Sequence, residues 1–238
     1  MIRIFRKEFI IGIVGVAVCL CADAFSDVVV LLMEITPTAI LWAHQKIIFQ
    51  ALSDDVILFA APIFATVPFS GAFVEDVKSG YTKQVLPRTT VKDYVIRNEM
   101  TCAVSGFLTI VFGLLIGAAI ITLAITPIET FSSVPVESVF VKIIGRIGLY
   151  GLAGALWAMV GMLCSTITMN SYMAYASPFI LYYVLIILQE RYARDYFMLN
   201  PQNYLTLEGK WPFGGWSAAI TMLVLLIAVM LGFQLNLL

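Results

Sequence analysis

Thr101 to Thr126 reads TCAVSGFLTIVFGLLIGAAIITLAIT, 26 residues without one Asp, Glu, Lys, Arg or His. A hydrocarbon core of about 30 Å is crossed by roughly 20 apolar residues in α-helix, so this stretch has the length and character of a membrane span. Five further stretches qualify or nearly so: Phe9 to Leu32, Val56 to Val74, Ile147 to Thr168, Tyr172 to Leu188 and Trp216 to Leu237. The expected fold is all-α, a polytopic membrane protein with six transmembrane helices and both termini on one side. Composition agrees, since 61% hydrophobic and 12% charged residues with a mean hydropathy of +0.96 exceed what a soluble core of 238 residues buries. A net charge of −1 leaves no electrostatic footprint for a nucleic acid. Cys19, Cys21, Cys102 and Cys164 all lie in apolar runs without metal-ligand spacing and read as small core residues. No domain boundary or internal repeat is visible, so residues 1–238 read as a single transmembrane domain.

Immediately before that span, Glu75 to Met100 reads EDVKSGYTKQVLPRTTVKDYVIRNEM and holds Lys78, Lys83, Arg88, Lys92 and Arg97, five of the chain's 14 basic residues. With Arg3, Arg6 and Lys7 they put eight cations on one side of the bundle. Lys46, Lys142, Arg146, Arg191, Arg194 and Lys210 fall on the other, diluted by Glu34, Asp54, Asp55, Glu129, Glu137, Glu190, Asp195 and Glu208. The positive-inside rule then places both termini and the polar segment on the cytoplasmic side of the cell membrane. A charged segment there is open to a soluble partner. Glu75 to Gln84 lacks proline and predicts a short helix lying across the membrane face, stopped by Pro87.

At the N-terminus, Ile2, Ile4 and Phe5 alternate with Arg3, Arg6 and Lys7, a pattern suited to a short interfacial helix over residues 1–8. Ala22-Asp23-Ala24 imitates a signal-peptidase site, but the apolar run resumes at Val28 to Leu32 as a membrane helix does. The outward connection Thr36 to Asp55 has helical apolar spacing at Ile40, Leu41, Ile47 and Ile48, with Trp42 at an interfacial position. The segment 189–215 is a longer, more polar extracytoplasmic loop with room for short helices before Pro201 and Pro212.

Three features within the spans carry potential chemistry. Asp23 and Asp27 share one face of the first helix, roughly 22 and 28 Å along it from Glu8, in the outer half of the membrane. Intramembrane acids are costly, so the pair either greets a cationic substrate or is satisfied locally by Ser26, water, Lys142 or Arg146. Tyr172, Tyr175, Phe179, Tyr182 and Tyr183 form one aromatic stripe, which lines a path for an amphipathic substrate or serves packing and interfacial anchoring. Gly113 and Gly117 form GxxxG, and Gly145, Gly148, Gly151 and Gly154 recur every third residue; such faces serve a dimer interface or intramolecular contacts. Arg146 beside them is expected at the outer boundary with its stem snorkelling.

Enzyme readings lack their residues. The chain has a single His, His44, in an outward loop, and neither a Ser/His/Asp set nor a metal quartet is available within the spans. The Gly-Lys pair Gly209-Lys210 is followed by Trp211, with no phosphate-cradling loop and no Ser or Thr for magnesium. No cofactor is expected on this chain, and any ATP-driven work needs a separate polypeptide.

Taken with the six spans, the interfacial N-terminus and the outward loop before the last span, the polar segment resembles that of ABC-2 type transporter permeases of the small six-span, type V exporter-like kind. Glu75, Gly80, Leu86, Arg88 and Tyr94 stand in the places of that family's loop pattern, although the family commonly sets a proline just after the basic residue and here Pro87 precedes Arg88. The resemblance implies a permease subunit that exports an amphipathic peptide, drug or lipid. It implies as partners a cytoplasmic ABC ATPase carrying ATP and Mg, and a second or paralogous permease. It also makes Glu75 to Val85 the coupling helix within a cytoplasmic coupling segment 75–99, with Lys78, Tyr81 and Gln84 at i, i+3 and i+6 as contacts. The alternative is a non-transporting scaffold or immunity protein that binds a peptide at the outer face.

Overall fold

A computed structural model describes residues 7–33, 43–127, 139–207, 211 and 215–237. All regular structure among them is helical: α1 Lys7–Met33, α2 Ala43–Ala51, α3 Asp55–Thr66, α4 Ala72–Lys78, α5 Tyr81–Val85, α6 Val91–Ile125, α7 Phe140–Thr168, α8 Met173–Tyr192, α9 Asn203–Thr206 and α10 Gly215–Leu237. Short 3-10 turns lie at Leu86–Arg88 and Phe197–Leu199. Trp42 and the predicted interfacial segment up to Arg6 fall outside the described residues; Lys7 and Glu8 already belong to the first turn of α1.

Five helices, α1, α6, α7, α8 and α10, are long and apolar enough to cross a membrane. A further apolar element is built from pieces. α3 has 12 residues, about 18 Å, too short to span alone. It meets α2 at a bend of 64° on one side and runs through the turn 67–71 into α4 on the other. The chain is thus a multi-pass membrane protein of five spans, or six with the broken element. The expected continuous second span, Val56 to Val74, is interrupted at the turn before α4. The turn is tolerated because it is buried against α7. Ser70 Oγ donates to Ala158 O at 3.0 Å, and Ser165 Oγ donates to Ser70 O at 3.3 Å. Side chains supplied by a neighbouring helix satisfy backbone that lipid cannot.

Helix directions follow from close contacts. A Cβ on Gly113 would lie 2.5 Å from Val16 Cβ, and one on Gly117 would lie 3.0 Å from Leu20, so α1 and α6 run parallel with the GxxxG face between them. A Cβ on Gly106 would meet Ala158 at 2.6 Å and Gly154 O at 2.7 Å, where α7 crosses α6 antiparallel. Gly161 abuts Ala174 and Pro178 of α8, while Gly215 and Gly232 of α10 face Leu149 and Leu163 of α7. The start of α1, the α4–α5 segment, the start of α6 and the end of α10 therefore share one end of the bundle, called here the basic end. α2, α9 and the start of α7 share the far end.

α7 is the central post. It touches α3, α6, α8 and α10 and carries buried Tyr150, Trp157, Met159 and Met162. It ends at Met169 in the left-handed region (φ 49°), where the backbone N–H groups of Met169 and Asn170 reach Thr166 O and Ser165 O and turn the chain into α8. α6 starts earlier than its apolar run. Thr90 Oγ1 accepts from Asp93 N at 3.2 Å and donates to Asp93 Oδ2 at 2.6 Å, a reciprocal cap that begins a 35-residue helix ten residues before Thr101.

Candidate functional site: the basic end

Between α3 and α6 the chain leaves the bundle as a double helical segment with a fixed root and an exposed tip. At the root, Val74 is fully buried and Phe73 packs edge-on against Phe233 of α10 at 5.3 Å. Phe73 also meets Tyr94 of α6 at 6.2 Å, and Tyr94 Oη donates to the buried Asp76 carboxylate at 3.3 Å. α7 also touches α4, so three helices, α6, α7 and α10, hold one end of it. At the tip, Glu75, Lys78, Lys83, Gln84, Pro87 and Arg88 are exposed, and Tyr81 stands 40% open.

The single coupling helix expected over Glu75 to Val85 is two helices. α4 ends at Lys78, and Gly80 adopts φ +75° before α5 starts at Tyr81. A side chain at Gly80 is disfavoured there by backbone geometry, and with nothing within 4 Å of its Cβ position, crowding plays no part. Lys78, Tyr81 and Gln84 hence do not lie on one continuous helical face, although all three face solvent on the same small projection. Leu86 and Arg88 belong to the 3-10 turn that leads to Thr90, the cap of α6.

The Asp23/Asp27 pair lies at the far end and has an occupant. Asp23 Oδ2 accepts from Ile57 N at 2.9 Å, in the first turn of α3. Asp54, at the N-cap position, makes no side-chain cap, so an acid from α1 satisfies the donor that the local residue leaves open. Sequence does not point to this partner, because it is backbone 34 residues away. Asp27 is half-buried, and Asp54 and Asp55 lie near the pair, so four carboxylates gather there.

Arg146 is clamped rather than snorkelling. It donates to Phe49 O at 3.3 Å, to Ser53 Oγ and to Thr206 O at 3.1 Å, and its guanidinium stacks 3.9 Å over the Phe49 ring. Tyr150 Oη adds a bond to Leu52 O at 2.6 Å. Together they tie α2, α7 and α9 at the far end. There, Trp211 sits edge-on to Phe197 at 5.1 Å and donates through Nε1 to Asn203 O at 3.2 Å. Burial of Tyr204 under this cap pushes its phenol above the usual range.

The aromatic stripe of α8 divides. Tyr172 is 80% exposed near the basic end and Tyr175 is also open, whereas Tyr182 is fully buried between Phe59 and Trp157 at 5.8 and 5.5 Å. Tyr183 stacks on Phe59 at 5.2 Å and meets the half-buried Phe179. Three of these rings, Phe179, Tyr182 and Tyr183, make packing contacts with α3 or α7, or with each other.

Glu99 was not singled out by pattern. It is fully buried in α6, its Oε2 accepts from Gln234 Nε2 of α10 at 2.9 Å, and Oε1 has no hydrogen-bond partner among the described residues. Its position within the polar segment hid it, because an acid beside five cations reads as a solvated neighbour.

Comparison with protein-family models, with curated proteins and with solved structures finds no match to this chain.

Proposed function

We propose that the chain is the permease subunit of an ATP-binding-cassette exporter, moving an amphipathic peptide, drug or lipid out of the membrane under the drive of a separate ATPase. One observation supports this most. The α4–α5 segment has a root held by three helices and a tip rich in exposed basic and polar side chains, a form suited to receive force from a soluble partner and pass it inward. In this reading the basic end is cytoplasmic. ATP and magnesium reside on the partner, which grips Glu75, Lys78, Tyr81, Gln84 and Arg88. Displacement of the tip acts on Phe73 and Asp76, hence on Tyr94 of α6 and Phe233 of α10. A second copy or a paralogous permease completes the unit.

The carboxylates at the far end favour a second reading, a non-transporting protein that receives a cationic peptide there. Reconstitution of the complex into vesicles separates the two. The exporter reading predicts ATP-dependent movement of a cationic amphiphile; peptide binding with no ATP-dependent movement would leave the scaffold.

A further inference from the structure

Beside α7, toward the far end, runs a groove of about 690 Å³ with an almost wholly apolar lining. Its floor contains Gly145 and Gly148, neither of which would place a Cβ within 4 Å of any other residue. The two other glycines of this series, Gly151 and Gly154, are filled tightly by α6. Half of the small-residue stripe thus serves internal packing and half is left open. Leu149, Leu152, Phe107 and Ala219 form the walls toward mid-bundle, while Lys142 and Trp216 stand at the rim, the latter 79% exposed.

We infer that this groove holds an acyl chain of an anionic phospholipid, with the phosphate met by Lys142. The proposal does not depend on the exporter reading. Three observations select this occupant. The lining extends along α7 from Val141 to Leu152, about 17 Å at 1.5 Å per residue, which suits one leaflet's chain and falls well short of the roughly 30 Å over which a spanning helix would dock. Exposed Lys142 supplies a cation at the rim, and Trp216 supplies the amphipathic ring that settles at headgroup level. Arg146, although it also borders the groove, has its guanidinium engaged by Phe49, Ser53 and Thr206, so anion recognition falls to Lys142.

Lipid retention measured by native mass spectrometry on the full chain in mild detergent tests this, using phosphatidylglycerol and phosphatidylcholine of identical chains as probes. Phosphatidylglycerol is expected to bind about fivefold more tightly, the effect of one lysine near an anionic headgroup. Lys142→Gln is expected to abolish that preference, and Gly148→Leu, which fills the groove without touching charge, to abolish retention of both lipids. Equal binding of the two lipids by the unaltered protein would overturn the proposal. So would unchanged retention in folded Gly148→Leu, or a dimer that this substitution dissolves with no lipid lost, which would assign the groove to a second copy. Should Gly148→Leu fail to fold, the Lys142→Gln comparison decides alone.

Discussion

A carboxylate inside a membrane protein is explained only when its partner is named, and two acids here have partners of different kinds. Asp23 accepts the Ile57 N–H and so caps a helix whose own N-cap residue makes no cap. Asp23→Ala should lower stability by about 1 kcal/mol, read as a drop in the thermal midpoint in detergent, while Asp23→Asn keeps an acceptor and loses less. Asp27→Asn relieves repulsion among neighbouring carboxylates and should leave the midpoint unchanged or slightly higher. Loss of export in Asp27→Asn at unchanged stability would instead make this acid part of a substrate path. Glu99 is the second case, since Gln234 serves one oxygen and the other has no described partner. Gln234→Ala takes away the amide donor and should destabilise by about 1–3 kcal/mol, whereas Glu99→Gln keeps the shape and an acceptor for Gln234 and should be tolerated; the two midpoints measured side by side check the pair.

Among the elements, the long unbroken helices were legible because their apolar runs are continuous: α10 matches its expected span to within a residue at either end. The second span was not. Pro68 and Ser70-Gly71 are residues that can break a helix, but Pro62 sits inside α3 without doing so and the composition stays apolar, so sequence does not choose; what permits the break, Ser165 of α7, is nearly a hundred residues away. Division of the α4–α5 segment was half legible. Ser79-Gly80 is a turn pair, but the absence of proline up to Gln84 favours one helix, and the φ of +75° at Gly80 decides otherwise. Gly80→Val should therefore misdirect α5 relative to α4 with little change in the root. Its expected signature is loss of partner binding at an unfolding free energy within about 1–2 kcal/mol of the unaltered protein. The glycine stripe shows a similar division. Gly154→Leu overpacks the α6–α7 crossing and should cost about 1–3 kcal/mol or more, while Gly145→Leu enters open space and should cost little in unfolding assays.

For the whole molecule, hydrophobic periodicity and charge placement sufficed to read a multi-pass helical bundle, because lipid imposes the same demand on every span. They did not suffice for the far-end clamp. The neighbours of Arg146 in sequence point to the lipid boundary, yet its partners Phe49, Ser53 and Thr206 come from α2, the turn before α3, and α9. The arrangement as a whole is asymmetric: a cap tied by hydrogen bonds at one end, and a basic projection anchored at its root and exposed at its tip at the other. That asymmetry underlies the central claim, that the projection is where a separate ATPase takes hold. The most direct measurement is purification of the tagged chain in mild detergent from its own cells, with ATPase activity assayed on what accompanies it. A variant with Lys78, Tyr81 and Gln84 all replaced by alanine is carried in parallel. The account predicts an ATP-hydrolysing partner that accompanies the unaltered chain and is absent from the variant at equal yield and monodispersity. A monodisperse chain that brings no such partner, or a partner retained undiminished by the variant, would contradict it.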